Sequence, residues 1–110
     1  MYKLVATWTE PKPEQAEEFE REYATTHVPL AAKCPELKQL VLMRTASGLE
    51  GNPSAFYRVA ELIYEDERAF ERCAESAEWQ ALRADAGQLI ERFGVELHVG
   101  LGTPEDYPLP

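Results

Sequence analysis

Residues 2–30 read YKLVATWTEPKPEQAEEFEREYATTHVPL, and the spacing of the apolar side chains changes partway along them. Up to Thr9, apolar and polar residues largely alternate, which is the period of a half-buried β-strand. Beyond Pro13, a residue type that suits the first turn of a helix, apolar residues recur three or four positions apart. The stretch therefore predicts a strand followed by an amphipathic helix.

The apolar stripe of this helix leads to a histidine. It contains Phe19, Tyr23 and His27, while glutamates occupy most of the remaining surface and predict a solvated face rather than an ion site. Pro29 follows closely, and a proline inside a helix removes a hydrogen bond and clashes with the preceding turn. We therefore expect the helix to end or bend near Val28.

The rest of the chain predicts three further strands and a second helical region that is broken in two. The strands are expected over residues 37–47, 55–64 and 95–101, and the helices over residues 66–75 and from Ser76 to Gly94. The order β-α-β-β-α-β is the ferredoxin-like arrangement, an α+β fold with a four-stranded antiparallel sheet and helices on one face. We expect residues 1–101 to form this domain and residues 102–110, which carry three prolines, to form an extended C-terminal arm.

The strand predicted over residues 37–47 is apolar on both faces, with Leu40 and Leu42 on one side and Val41 and Met43 on the other. Such a strand needs cover on both sides, and a chain of 110 residues has little left to supply a second layer. A second copy of the same sheet is the simplest cover. The sequence therefore predicts a homodimer that pairs sheet to sheet.

Composition excludes several classes of protein. Eleven basic against twenty acidic residues give a net charge of −9, which disfavours binding to nucleic acid and to anionic membranes. No stretch approaches the roughly 20 apolar residues that span a bilayer, and the first residues lack the layout of a signal peptide. Cys34 and Cys73 do not make a disulfide framework, so we expect reduced thiols and a cytoplasmic protein.

Three segments carry a resemblance to a known family. FEREYATTHVPL, residues 19–30, resembles the signature of the EthD family, a member of the dimeric α/β-barrel superfamily. KCPEL, residues 33–37, resembles that family's K-x-P-G-L segment, with Glu36 where glycine is usual. Residues 56–66 resemble the family's third strand, and Asp85 resembles a recurring aspartate of its last helix.

The resemblance implies a ferredoxin-like protomer, a sheet-to-sheet homodimer and a ligand cavity between the sheet and the helices. The family is named for a protein of bacterial ether degradation that is associated with an oxidative system, which suggests an oxidoreductase. Relatives in polyketide pathways act as cyclases, dehydratases or decarboxylases, and most members have no assigned reaction. No residue of this sequence by itself demonstrates redox chemistry.

His27 is the candidate general acid or base, because imidazole titrates near neutral pH and this one lies on an apolar stripe. The alternative is a histidine that bonds a carbonyl and closes the helix end. Tyr23, one turn earlier, is expected to position a substrate oxygen, or else to be an ordinary core tyrosine. Asp85 would orient this pair, or would be solvated or paired with Arg83 or Arg92.

A second group of residues is expected to surround the ligand: Trp8, Phe19, Tyr57, Glu61, Trp79 and Phe93. Aromatic residues at these spacings also form ordinary cores. Glu61 would be a perturbed carboxylate if it were buried, but it can equally pair with Arg44 or Arg58 on a neighbouring strand. Strand parity does not fix the face on which it lies.

No metal or cofactor is expected. Two histidines and two scattered cysteines make no spaced ligand cluster, and the chain has no glycine-rich phosphate-binding motif. His98 alternates with apolar neighbours and is expected at the surface or at the dimer interface. Haem ligation by His27 is an alternative, since haem-degrading proteins share the superfamily, but the EthD-like motif and the acidic surface argue against it.

These observations leave three functions open. The first is a cofactor-free enzyme or oxidation-accessory protein that acts on a small apolar or aromatic compound bearing a carbonyl or phenol. The second is a carrier that delivers such a compound to an oxygenase without chemistry of its own. The third is a structural dimer whose pocket is filled by its own side chains.

Overall fold

The computed structural model describes residues 1–110 and has the predicted order of strands and helices. The regular elements are β1 (Tyr2–Trp8), α1 (Ala16–Glu22), α2 (Val28–Ala32), β2 (Leu37–Arg44), β3 (Arg58–Tyr64), α3 (Glu67–Ala74), α4 (Ala77–Phe93) and β4 (Leu97–Gly102). A π-helical turn over Tyr23–His27 joins α1 to α2, and short 3-10 turns lie at Pro13–Gln15 and Leu49–Gly51.

The four strands form one antiparallel sheet in the order β2-β3-β1-β4. Leu4 in β1 lies opposite Leu62 in β3 and Leu101 in β4, so these side chains share the face that the helices cover. The predicted α+β, ferredoxin-like fold is confirmed by this topology.

The strands are shorter or shifted relative to the sequence prediction. β2 ends at Arg44 and β3 begins at Arg58, because the residues between them form a turn around Gly48. The amide of Thr45 still donates to the carbonyl of Tyr57, so the pairing continues irregularly beyond the strands. β4 runs two residues later than the predicted start, at Leu97.

Of the two outcomes expected near Val28, an end or a change in the course of the helix, the structure shows a change in the helical turn and no end. The amide of Val28 donates to the carbonyl of Tyr23, five residues earlier, and this wide turn passes directly into α2. Pro29 lies in the first turn of α2, where its missing amide hydrogen costs least. The helix therefore continues past the proline by widening rather than by stopping.

The ends of the later helices follow the sequence signals. The Asp66 side chain accepts from the Ala69 amide at the start of α3, and the Ser76 hydroxyl accepts from the Trp79 amide at the start of α4. Gly94, with a φ of 66°, ends α4 in the left-handed conformation that glycine tolerates.

Two buried clusters fill the space between the sheet and the helices. One is mainly aliphatic and includes Leu4, Leu62 and Cys73. The other is mainly aromatic and includes Trp8 and Phe19. The cavity described below touches members of both clusters.

The opposite face of the sheet carries no helix. Its central side chains include Val5, and an ion pair between Lys3 and Glu61 at 3.4 Å crosses it. Val41 and Met43 of the edge strand β2 point the same way and are exposed. This face is therefore partly apolar and uncovered in the single chain.

Beyond β4, residues 103–110 are exposed and hold no helix or strand. None of the helices is both long and apolar enough to cross a membrane.

Candidate functional site

A cavity of about 180 Å³ lies between the sheet and the helices. Alternate residues of all four strands form one wall, and α2, α3, α4 and the π-helical turn form the other. Of the 19 lining residues, 17 are hydrophobic; the exceptions are His27 and Arg83. The cavity is therefore an apolar chamber with two polar groups, the general composition of a small-molecule site.

His27 and Asp85 form a hydrogen-bonded pair at the wall of this cavity. The distance from Nδ1 to Oδ2 is 2.8 Å, and the two side chains are only 10% and 14% exposed. A neutral imidazole that donates from Nδ1 to the carboxylate keeps its proton on that nitrogen, so Nε2 is left with a free lone pair. No protein group hydrogen-bonds to Nε2.

The surroundings of His27 keep its ring neutral near neutral pH. Burial lowers its pKa below the ordinary value of 6.5, and the positive charge of Arg83 acts in the same direction. The hydrogen bond and the charge of Asp85 oppose this shift without reversing it. The ring is thus uncharged near neutral pH, with the Asp85 carboxylate hydrogen-bonded to Nδ1.

Aromatic contacts fix the orientation of the His27 ring. The Trp8 ring stands perpendicular to it, with 5.3 Å between the centroids, and the Tyr23 ring stacks on it at 5.7 Å. Tyr23 and His27 occupy the two ends of the π-helical turn and lie on the same side of the helical segment. Turns of this kind occur frequently at functional sites.

Tyr23 presents a protonated hydroxyl group. Burial raises its pKa, and the residue is 1% exposed. The Arg58 guanidinium lies over the ring, 4.9 Å from its centroid. The hydroxyl makes no hydrogen bond within the protein, so it is free to donate to an oxygen of a ligand.

A cluster of charged side chains centred on Glu20 contacts Tyr23 through Arg58. Arg58 binds the Glu20 carboxylate through Nε, at 3.2 Å, and through Nη2, while Arg44 lies 3.8 Å away. Burial alone would raise the pKa of Glu20, but the contacts with Arg58 outweigh burial and hold the pKa below 4.5. Burial and the negative charge of Glu20 raise the pKa of the neighbouring Tyr57 hydroxyl.

The structure brings some of the predicted ligand-contacting residues to the cavity and not others. Trp8, Tyr23, His27 and Trp79 line it, and Asp85 joins it through the His27 ring. Three aromatic residues instead fill the core cluster beside the cavity: Phe19, Tyr57 and Phe93.

Glu61 lies on the opposite face of the sheet and does not line the cavity. Its neighbours in β3, Ala60 and Leu62, face the helices, so Glu61 points away and pairs with Lys3. Neither alternative partner takes it, because Arg44 in β2 and Arg58 in β3 itself are both directed to Glu20. His98 also lies on this far face and is exposed, as expected.

Geometry decides between the alternatives that the sequence left open for His27 and for Asp85. His27 bonds a carboxylate inside a continuous helical segment and does not close a helix end with a carbonyl. Asp85 bonds His27 rather than an arginine, since Arg92 contacts Glu18 and Glu22 instead.

Arg83 is the polar lining residue that sequence reasoning did not assign to the site. It follows Trp79 by four positions in α4, which places both on the helix face that looks into the cavity. This four-residue spacing from Trp79 is the sequence signal that could have identified Arg83. Elsewhere, no group of three or more histidine, cysteine or acidic side chains is arranged to hold a metal ion.

Comparison with known proteins assigns the chain to a family. The EthD domain model matches residues 12–92. An uncharacterized 11.0 kDa protein from the thcB-thcC intergenic region of Rhodococcus erythropolis is 30% identical over 110 residues, which cover all of both chains.

Solved structures agree with this assignment. An EthD family protein from Bacillus halodurans superposes with a TM-score of 0.70 at 27% identity, covering 91% of this chain and 96% of that one. SnoaB, a cofactor-independent oxygenase from Streptomyces nogalater, shares the fold, with a TM-score of 0.59, 22% identity and coverage of 96% and 94%. With a family model that spans most of its length and a relative that matches it from end to end, the chain belongs to the EthD family.

Proposed function

We propose that this protein binds a small apolar or aromatic compound in its cavity and that His27 transfers a proton to or from it as a general acid and base. The observation that carries the proposal is the hydrogen bond from His27 Nδ1 to Asp85, which leaves Nε2 without a protein partner at a cavity that is otherwise almost entirely hydrophobic. A base oriented by a carboxylate beside an apolar chamber is a recurrent arrangement for proton transfer.

The size of the cavity supports a ligand with a single ring. At about 180 Å³ it is close to an engineered apolar cavity of about 150 Å³ that binds benzene. Sites for larger ligands occupy about 300–1,000 Å³. A polycyclic substrate would require the helices to move apart.

Each polar side chain has a defined role in the proposed reaction. Nε2 of His27 takes a proton from an acidic O–H or C–H group of the ligand, and the imidazolium is stabilised by Asp85. The hydroxyl of Tyr23 donates a hydrogen bond to the oxygen on which negative charge develops. Trp8 and Trp79 exclude water, which strengthens these interactions.

The proposal includes a homodimer formed through the uncovered sheet face. Exposed Val41 and Met43, together with Val5, make this face unfavourable in water, and a second copy would bury it. Residues 103–110 would serve as an arm that reaches the partner. The two buried, unbridged cysteines suit a reducing compartment such as the cytoplasm.

Proton transfer can be tested without knowing the natural substrate. Phenylacetone has one ring and acidic C–H groups beside a carbonyl, and in D₂O its exchange of hydrogen for deuterium is visible by NMR. We expect the protein to accelerate this exchange and His27→Gln to remove the acceleration, typically about 100-fold or more for loss of a general base. His98→Gln is the matched control, because His98 is exposed on the opposite face of the sheet.

A carrier is the second candidate, and the nearly complete hydrophobic lining favours it. In that case phenylacetone would bind, with chemical-shift changes at Trp8 and Trp79, but the wild-type protein would not accelerate exchange. Binding without exchange would therefore contradict the catalytic role and support a carrier. Absence of binding by phenylacetone and by other single-ring compounds would leave only the structural dimer.

A further inference from the structure

Arg83 brings the only permanent positive charge to the wall of the cavity. It lines the chamber together with His27, whose ring is neutral, and its side chain also reaches solvent. It lies one helical turn after Trp79, and because it is exposed as well as lining the chamber, it forms the solvent side of a site that is otherwise hydrophobic. A ligand with an apolar body and one charged end matches a hydrophobic chamber that has one charged side chain on its solvent side.

The charge of Arg83 is not neutralised within the chain. Four other arginines contact a glutamate: Arg44, Arg58, Arg72 and Arg92. Arg83 makes no ion pair, and the nearest carboxylate along its helix, Asp85, is bound to His27. In a protein with twenty acidic residues and a net charge of −9, this arginine lines an apolar cavity without an acidic partner, and its guanidinium keeps its capacity to bind an anion.

We infer that Arg83 binds a carboxylate group of the ligand, so that the substrate class is a monocyclic aromatic or compact apolar carboxylic acid. This inference rests on the proposed function of the cavity. The planar guanidinium fork matches a carboxylate in two parallel hydrogen bonds. The cavity wall offers no second cation, which fits a single carboxylate better than a multiply charged phosphate.

The ligand then has a fixed direction in the site. Its carboxylate lies on the solvent side against Arg83, and its ring enters between Trp8 and Trp79. The group that exchanges a proton reaches Nε2 of His27. The net negative charge of the protein repels anions in general, and the positive charge of Arg83 attracts the ligand carboxylate at the cavity.

Phenylacetate and its neutral isostere phenylacetamide test the inference, with affinities measured by calorimetry or NMR titration. We expect the wild-type protein to bind phenylacetate more tightly than phenylacetamide. Arg83→Gln should weaken phenylacetate binding by about tenfold or more, the usual range for a charge-assisted hydrogen bond, and should leave phenylacetamide binding unchanged. Arg83→Lys should restore part of the preference.

Arg68→Gln is the matched control, because Arg68 is an exposed arginine of α3 that makes no ion pair and lies outside the cavity. It should leave both affinities unchanged. Equal binding of the two compounds by the wild-type protein would overturn the inference and leave the proposed cavity function intact. A folded Arg83→Gln variant that loses affinity for both compounds equally, or that keeps its affinity for phenylacetate, would also overturn the inference. Binding of neither compound by the wild-type protein would contradict the proposed function and the inference together.

Discussion

The side chains of His27 and Asp85 meet at 2.8 Å although 58 positions separate them in the chain. His27 closes the π-helical turn of the first helical region, and Asp85 lies in the middle of α4 in the second. Their contact exists only when both helical regions pack on the same face of the sheet. The protonation of His27 therefore reports on the assembled fold as well as on the site.

Asp85→Asn should lower the pKa of His27 further. Asp85 raises that pKa through its hydrogen bond and its charge; asparagine can still accept from Nδ1 but carries no negative charge, so less opposes the effects of burial and of Arg83. Proton exchange in the bound ligand should slow by at least about tenfold, because the imidazolium loses its partner. NMR titration of the His27 ring measures the shift; Glu91→Gln, an exposed change in the same helix, should leave the pKa unaltered.

Arg83→Gln should move the pKa of His27 in the opposite direction. The positive charge of Arg83 disfavours the imidazolium, and removing it should raise the pKa toward 6.5. The same titration detects the change. A fall in the pKa on this substitution would show that the two charges do not interact as the geometry indicates.

The activity and the stability should both decline on acidification below the ordinary histidine range. Since the folded-state pKa of His27 is lower than 6.5, the unfolded chain binds the proton more readily between those two pH values. His27 thus favours folding above pH 6.5, and this contribution is lost as the pH falls toward the folded-state pKa. Denaturant unfolding across this window should show a slope that His27→Gln reduces and His98→Gln preserves.

Ala6→Leu should close the cavity without unfolding the protein. Ala6 faces the chamber from the central strand β1, so the added carbons would occupy empty space and gain about 0.8 kcal/mol for each buried methylene that fits. Ligand binding should disappear while thermal stability is retained or raised. Ala81→Leu, on the exposed side of α4, should leave binding intact; loss of binding in both variants would point to a general disturbance.

Glu36→Gly should stabilise the protein. Glu36 has a φ of 70°, a conformation that costs a residue with a Cβ about 1 kcal/mol and that glycine adopts freely. The substitution also removes the ion pair with Arg72, which is exposed and contributes little. We expect a net gain of up to about 1 kcal/mol in unfolding free energy. Glu36→Ala, which removes the ion pair but keeps the strain, should show no gain.

The order of elements could be predicted from the sequence because the change from period two to period 3.6 is unambiguous in β1 and α1. The face on which Glu61 lies could not, because β3 alternates apolar residues on both faces: Val59 and Ile63 on one side and Ala60 and Leu62 on the other. Register with its neighbours, a long-range property, decides between them.

The candidate site could be predicted only in part, because some of its contacts are local in the chain and others depend on long-range packing. The stripe of Tyr23 and His27 is local and visible in the sequence, and Asp85 was named through resemblance to a family motif. Arg83 was considered only as an ion-pair partner of Asp85, because the sequence alone does not show that the Asp85 carboxylate bonds His27 instead. The widening of the turn at Tyr23–His27 left no sequence signal beyond Pro29, which predicted an end or a bend near Val28 without deciding between them.

The π-helical turn over Tyr23–His27 has a genetic consequence. A turn with five-residue hydrogen bonds is an α-helical turn into which one residue has been inserted. Deleting one residue between the two rings would restore an ordinary helical turn and leave them three positions apart, a spacing that still shares one helix face. The wide turn thus absorbs one extra codon without turning either helix away from the sheet, and a one-codon deletion here would change how the tyrosine and histidine rings stack rather than the side on which they lie.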